Sequence, residues 1–383
     1  MQVDIVTDIA GIKAGDWNGL VGDAWPFLRH EFLLAAERGG CVSPATGWSP
    51  RHVVLRAGGK LRAAMPLYEK THSWGEFVFD WAWAEAYRRA GVEYYPKLVS
   101  AVPFTPAPSR RLLLRDPAET ELAGLLLDAA RELAEHAGHS SLHVLFPATE
   151  ELPLLERAGL KLRKDCQFHW HNRGYRSFDE FLQTFSSRKR KKARRDRRRM
   201  EEQQIAFRWL GGADADRAVW NDVFPMISNT FLRRGSLPYF DDEFFVEISR
   251  RMPANVLVVL AERRGSPIAA AVFYVGRQTL YGRYWGNDEA HDALHFETCY
   301  YQGIEYCISR GLAVFEPGTQ GEHKISRGFL PVPVWSAHWL ARPAFFDAVG
   351  EYLAAEQRHV DRYMDAAASL SPYRNPDDAR CRR

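Results

Sequence analysis

Apolar residues recur along this chain in two rhythms. In RHVVLRAGGKLRAAMPLYE, Arg51 to Glu69, they cluster on each side of a Gly-Gly pair, which predicts two strands joined as a hairpin. Asn255 to Tyr274, NVLVVLAERRGSPIAAAVFY, repeats the design with a Gly-Ser-Pro turn. Each hairpin is followed by an aromatic stretch read as a strand, Phe77 to Trp83 and Tyr281 to Trp285. A helical stretch comes next, then a strand ending in a Pro-rich or Gly-rich loop, Tyr95 to Pro106 and Ala313 to Gly321. The chain therefore reads as internally duplicated. Helical spacing is plain in Glu119 to His136 and in Ala293 to Arg310, where Leu294, Tyr301, Ile304 and Ile308 recur before the C-capping Gly311. Ala344 to Met364 predicts a further amphipathic helix. Strands mixed with helices in both halves predict two α/β units, residues 1–172 and 173–383, joined near His171 to Tyr175.

The bulk composition agrees with two domains. A chain of 383 residues exceeds one average core, and 46% hydrophobic with 26% charged residues is the balance of a globular protein. No apolar run approaches the roughly 20 residues that span a bilayer. The start, MQVDIVTDIAGIK, carries acids where a signal peptide carries lysines, so a cytoplasmic protein is expected. The cysteines, Cys41, Cys166, Cys299, Cys307 and Cys381, are odd in number and form no CxxC pair, which predicts reduced thiols and no zinc site. His169 and His171 alternate on a presumed strand, but no third ligand is placed, so a polar strand edge is expected and no metal. Trp81, Trp83, Trp335 and Trp339 read as core or cleft wall.

Charge is uneven. Arg188 to Arg199, RKRKKARRDRRR, holds ten basic residues and one acid, against a net charge of +3 for the chain. It continues a helix that starts at SFDEFLQTF, where Ser177 can cap and Asp179 and Glu180 suit the positive end of the dipole, giving one helix over 178–203. Cations crowded on about three turns repel one another unless an anion meets them. Arg188, Lys189, Arg190, Lys191, Lys192, Arg194, Arg195, Arg197, Arg198 and Arg199 are thus candidate contacts to a nucleic acid, tRNA included, or to an anionic lipid or polyphosphate; the other reading is a solvated helix face. No helix-turn-helix, zinc-finger or RNP signature accompanies them, which argues against a transcription factor.

The second chemical candidate is Gly318 to Phe329, GTQGEHKISRGF, after the strand Leu312 to Phe315. Active-site groups of α/β folds gather where strands end. His323, with an ordinary pKa near 6.5, suits proton removal from an amine. Lys324 and Arg327 suit an anionic substrate or a developing oxyanion, and Glu316 or Glu322 can orient the histidine. Trp285, Asn287, His295 and Glu297, in YWGNDEAHDALHFE, sit just ahead of the helix feeding this strand and are expected to bind substrate; His338 in WSAHW either lines the cleft or packs in the core. A surface turn with salt bridges is the alternative for the whole loop.

The blocks LHFETCYYQGIEYCISRG and FEPGTQGEHKISRGFLPVPVWSAHW, with the N-terminal block Ser49 to Tyr87 and the basic segment, resemble the FemAB-like, or peptidoglycan biosynthesis/recognition, family of the GNAT acyltransferase superfamily. The resemblance implies an α/β (α+β) chain of two tandem GNAT-like domains, each a mixed, mostly antiparallel sheet flanked by helices. It also implies transfer of an acyl or aminoacyl group to a primary amine on a small molecule or peptide, with no bound cofactor. Ordinary GNAT enzymes draw on acyl-CoA through a Q/R-x-x-G-x-G/A loop, which neither half contains: the turn before Leu294 reads NDEAHDA. Aminoacyl-tRNA is therefore the expected donor over acyl-CoA, with the basic helix meeting its phosphates, although the long helical arm common to tRNA-using Fem enzymes is missing. Direct transfer is expected, because no cysteine or serine sits in a nucleophile setting. The rival hypothesis is a non-catalytic RNA- or anionic-surface-binding protein on the same scaffold.

Overall fold

A computed structural model of the chain describes residues 1–319 and 321–374. They divide into two compact units, Met1–Asp165 with Pro333–Asp361, and Cys166–Val332 with the described residues from Arg362 on. The segment 333–361 thus packs with the first unit, whereas the sequence reading had put everything after 172 in the second. The reason is a strand exchange at the C-terminal side: Ser336 to Leu340 pairs antiparallel with Ser141–Leu145 of the first unit.

In the first unit Gln2–Val6, His52–Ala57, Lys60–Met65 and Leu113–Leu114 form a four-stranded antiparallel sheet. Gly58 and Gly59, with φ of 55° and 74°, close the predicted hairpin, since a two-residue turn of this hand needs positive φ at both positions. A second group of strands runs Trp48–Pro50, Tyr68–Lys70, Lys97–Ser100 and Ser141–Leu145, the last two parallel. Between those two strands the helix Thr120–His136 buries Leu122, Ala123, Leu126, Leu127, Ala130 and Ala134 on the core of this unit.

The stretch Phe77 to Trp83 is not a strand. It is irregular up to Asp80 and then opens the helix Trp81–Arg89. Gly75 and Phe77 take left-handed φ of 81° and 61°, which turns Glu76 and Asp80 inward onto the fully buried Lys97 ammonium. Buried charges need such partners. Trp74 and Phe79 are left facing solvent.

In the second unit the strands run in the order Ile205–Gly211, Val256–Arg263, Ser266–Val275, Thr279–Asn287, Val314–Glu316, then Trp170 and His171 at the end of Lys161–His171. All neighbours are antiparallel except Thr279–Asn287 with Val314–Glu316. The hairpin turn falls on Arg264 and Gly265, both at positive φ, rather than on Gly-Ser-Pro. Ser266 already begins the next strand, and Pro267 sits opposite the bulge, where its missing N–H costs no ladder bond.

Each unit therefore runs hairpin, strand, helix, parallel strand, a GNAT-like order. The strand Lys97–Ser100 precedes its crossover helix, so it corresponds to Thr279–Asn287 rather than to the strand ahead of Gly318. Ser141–Leu145 is the counterpart of Val314–Glu316.

The predicted basic helix is two helices, Phe178–Gln183 and Ser187–Glu202. Ser177 caps the first by accepting from the Glu180 amide. The break carries Phe185, fully buried and bridged to Tyr373. With Phe178, Phe181, Tyr301 and Phe329 it belongs to the aromatic core of the unit. Among the described residues no helix is long and apolar enough to cross a membrane. Cys381 lies outside the described residues, and among the described residues no two cysteines form a disulfide.

Candidate functional site

The helix predicted over 293–310 begins at Leu294, with Ala293 in the left-handed region at φ 70°, and winds as a π-helix over Glu297–Tyr301 before Gln302–Arg310 continues it. A single wide turn of this kind rotates the side chains after it by about a residue and recurs at functional sites. Here it presents Tyr300 to the loop beyond Glu316. The Tyr300 hydroxyl lies 2.8 Å from His323 Nε2.

His323 itself stands on a short 3-10 turn, Glu322–Arg327, closed by Gly328 at φ 98°. Its ring lies over Gly321: a Cβ there would come 2.1 Å from His323 Cε1, and Gly321 has φ 106°. The turn sends Lys324 and Arg327 inward, leaving them 2% and 4% exposed, while Glu322 stays outside with no partner among the described residues. The residue that holds His323 is therefore Tyr300, where the sequence reading had assigned Glu316 or Glu322. Glu316 is committed elsewhere: it receives a 2.6 Å bond from Arg283 Nη2, both side chains buried.

Burial, then the charges of Lys324 and Arg327, hold the His323 imidazole below its ordinary pKa. His295 is pushed down to about 4 by burial and by His323, Arg327, Lys324 and Arg234. Its ring packs 5.1 Å from Trp285 and 5.3 Å from Tyr300, so Trp285, His295, Tyr300 and His323 form one aromatic cluster. Burial takes Lys324 down to about 7 against the opposing charge of Glu316, whose own carboxyl burial raises. The Lys324 ammonium donates to the carbonyl of Gly318. The Cys299 thiol, also in the wide turn, is pushed up by burial, the reverse of what a nucleophile needs.

Other expected site residues are placed differently. Glu297 is buried and bonded to Arg197 of the basic helix at 3.2 Å and to Gln302 at 2.8 Å, so it ties two helices together instead of facing a substrate. Asn287 closes the end of its strand by accepting from Arg233 and donating to Glu289 O. His338 belongs to the first unit, where it sits buried against His143 at 2.7 Å, and Ser336 holds its other nitrogen. His169 bonds Gln167, and among the described residues no group of three metal-ligating side chains occurs. Tyr300, Arg283, Phe296 and Arg234 are not marked by the sequence pattern; helical spacing marks Tyr301, which lies in the core as that spacing predicts, while its neighbour Tyr300 turns to His323.

On Ser187–Glu202 the buried face is Ala193, Asp196 and Met200. Arg194 pairs with Asp179, Arg197 with Glu297 and Glu305, and Arg199 with Asp292; Arg190 donates to Phe185 O. Arg188, Lys191, Lys192, Arg195 and Arg198 are exposed with no acidic partner among the described residues. Their spacing of three and four aligns them along one face, and Lys189 flanks them half-buried.

Comparison with known proteins agrees with this architecture. The structure of FemX superposes with a TM-score of 0.56 at 12% identity, covering 91% of this chain and 100% of that one. L-PGS from Bacillus licheniformis gives 0.50 at 14% identity, covering 79% and 89%. No curated protein matches the sequence. At such identities the likeness is one of fold. The family model for peptidoglycan biosynthesis/recognition, in contrast, matches residues 8–375, nearly the whole sequence, and this chain belongs to the FemAB-like family.

Proposed function

We propose that this protein transfers an acyl or aminoacyl group from an activated donor, aminoacyl-tRNA in preference to acyl-CoA, to a primary amine. The observation that carries the reading is the Tyr300–His323 pair beside two buried cations, Lys324 and Arg327, that form no salt bridge among the described residues. With Tyr300 accepting from Nε2–H, His323 keeps a lone pair on Nδ1 to take the proton from an attacking ammonium-derived amine. The nitrogen bonds to the carbonyl carbon, the ester or thioester bond breaks, and the proton passes to the leaving oxygen or sulfur. Lys324 offsets charge on the carbonyl oxygen, and Arg327 holds an anionic part of donor or acceptor. Holding two substrates in line supplies most of the rate.

The donor preference rests on two features. The turn ahead of the helix at Leu294 is acidic, with Glu289 and Asp292 already paired to Arg263 and Arg199, so it offers no pyrophosphate cradle. The exposed stripe of Arg188, Lys191, Lys192, Arg195 and Arg198 suits a phosphodiester backbone. That stripe also favours a second reading, a non-catalytic RNA-binding protein on this scaffold. Relatives of similar fold, FemX and L-PGS, and the family's link to peptidoglycan biosynthesis support the transferase.

Incubation with aminoacyl-tRNAs and, separately, acyl-CoAs, with amine acceptors followed by mass spectrometry, tests it. Transfer abolished by His323→Ala is the expected result. Consumption of neither donor, together with tight, salt-sensitive RNA binding, overturns it in favour of the second reading.

A further inference from the structure

The first unit holds a short segment whose aromatic side chains face away from the core. Between the strand Tyr68–Lys70 and the helix Trp81–Arg89, Trp74 and Phe79 are 65% and 67% exposed, and Trp81, which opens the helix, is 42% exposed. The Trp74 and Trp81 rings meet edge to face, 5.6 Å apart. Two indoles and a phenyl ring leave on the order of 300 Å² of aromatic surface to solvent, a patch of the size that is often functional on a monomer.

The backbone is built to hold them there. Lys70 and Lys97 stand opposite each other on neighbouring strands, both fully buried. The Lys97 ammonium donates to Ser73 Oγ at 2.7 Å and to Glu76 at 2.8 Å, and it pairs with Asp80. The Lys70 ammonium donates to the Trp74 carbonyl at 3.2 Å. Arg163, gripped by Glu356 at 2.7 and 2.8 Å, donates to the Phe79 carbonyl at 2.7 Å. Gly75 at φ 81° and Phe77 at φ 61° carry the turns between these ties. A Cβ on Gly75 would come 2.5 Å from the Phe104 ring, and left-handed backbone at a phenylalanine is strained. The charged side chains of this segment are thus buried and its large rings exposed, the inverse of what burial of apolar surface selects.

The surrounding chemistry narrows what the rings can meet. Ser73, Glu76 and Asp80 are buried against Lys97, so they offer nothing to the hydroxyls of a sugar stacked on the indoles. The helix that follows exposes Ala82 and Ala86 beside Trp81 and ends in Arg88 and Arg89. Its one acid, Glu85, is paired with both arginines, at 2.7 and 2.8 Å, which leaves the helix with one positive charge in excess. Exposed aromatic rings, small apolar neighbours and a cationic end suit the boundary between lipid headgroups and acyl chains.

We propose that Trp74, Phe79 and Trp81 seat the first unit on a lipid bilayer as an interfacial anchor, with Arg88 and Arg89 at the level of anionic headgroups. The inference goes beyond the transferase reading and does not depend on it.

Flotation of the full chain with vesicles of phosphatidylcholine, alone or mixed with phosphatidylglycerol, tests it, together with tryptophan quenching by lipid brominated in its acyl chains. The expected result is binding to both kinds of vesicle, stronger with phosphatidylglycerol, and quenched indole emission. Trp74→Ser, Phe79→Ser and Trp81→Ser combined are expected to lower the partition coefficient on both by about tenfold or more and to remove the quenching. Near-ultraviolet circular dichroism checks that this variant keeps its fold; should it not, Phe79→Ser decides alone through its weaker partitioning. Arg88→Gln with Arg89→Gln is expected to weaken the preference for phosphatidylglycerol and to leave binding to neutral vesicles unchanged. Binding that the triple variant retains and salt abolishes assigns the lipid contact to the basic stripe of Ser187–Glu202 and overturns the anchor. A wild type that ignores vesicles overturns it too; if that wild type self-associates and the triple variant is monomeric, the patch joins two copies of the chain. Loss of transfer in His323→Ala, or a chain that transfers nothing, leaves the vesicle result standing on its own.

Discussion

Tyr300 Oη and His323 Nε2 stand 2.8 Å apart across a wide helical turn and a glycine-closed loop, two elements that pack in one aromatic cluster. If Tyr300 fixes the tautomer and angle of the imidazole, Tyr300→Phe keeps the ring packing and removes only the bond. The expected outcome is a fall in kcat of about tenfold, against roughly a hundredfold or more for His323→Ala, with thermal stability little changed for either. The imidazole pKa is held below its ordinary value, so the acid limb of kcat/KM falls below pH 6.5. Rate is therefore kept as pH drops to 6.5 and lost only beneath it. A limb centred above 6.5 rules out His323 as the base in this setting.

Gly321 provides a sharper geometric check. Its φ of 106° is open to glycine, and any Cβ would overlap the His323 ring at Cε1 and Nδ1, 2.1 and 2.3 Å away. Gly321→Ala is expected to cost about 1 to 2 kcal/mol of stability and to displace His323, with activity falling nearly as far as in His323→Ala. Retained activity in a folded Gly321→Ala variant contradicts the placement of this ring.

Much of the scaffold was legible in the chain, because hairpins with glycine turns and long amphipathic helices announce themselves locally. The Gly58–Gly59 hairpin and the helix Thr120–His136 fall where the periodicity puts them. What failed was non-local. Phe77 to Trp83 alternates like a strand, yet Glu76 and Asp80 are drawn in by Lys97, a residue some twenty positions later that no window can pair with them. The basic helix breaks at Phe185 because the aromatic core and Tyr373 claim that ring. At the candidate site, the charged loop was visible from composition, but Tyr300, Arg283 and Arg234 come from three separate elements. Glu297 looked like a site residue and is spent on Arg197 instead.

Lys324 gives the second unit a pH signature. Unfolded, a lysine titrates near 10.4, whereas folded it titrates near 7, so between about pH 7 and 10 the unfolded chain binds the extra proton. Its contribution to stability therefore improves as pH rises through that window, and the full penalty of burying the charge is present below pH 7. Lys324→Met is expected to stabilise the protein at pH 6 by up to about 4 kcal/mol and to add little near pH 10. Denaturant melts of both proteins across that range check it; a constant difference with pH shows that Lys324 stays charged throughout.

The basic stripe separates electrostatics from chemistry. Arg188, Lys191, Arg195 and Arg198 face solvent without acidic partners among the described residues, whereas Arg197 holds Glu297 and Glu305 at 3.2 and 2.6 Å and is part of the fold. Replacing these four of the five exposed cations by glutamine is expected to leave stability within about 1 kcal/mol, since it relieves repulsion and breaks no ion pair. Arg197→Gln strands the buried Glu297 carboxylate and is expected to cost about 3 kcal/mol or more. If tRNA lies along the stripe, the fourfold variant weakens binding and flattens the salt dependence, the slope of log K against log salt falling by up to about 4 when every side chain neutralises one phosphate. Transfer from a small donor, such as a minimal aminoacyl ester, is expected to persist in the same variant. Unchanged tRNA affinity and slope would place the nucleic acid elsewhere and reduce the stripe to a solvated helix face.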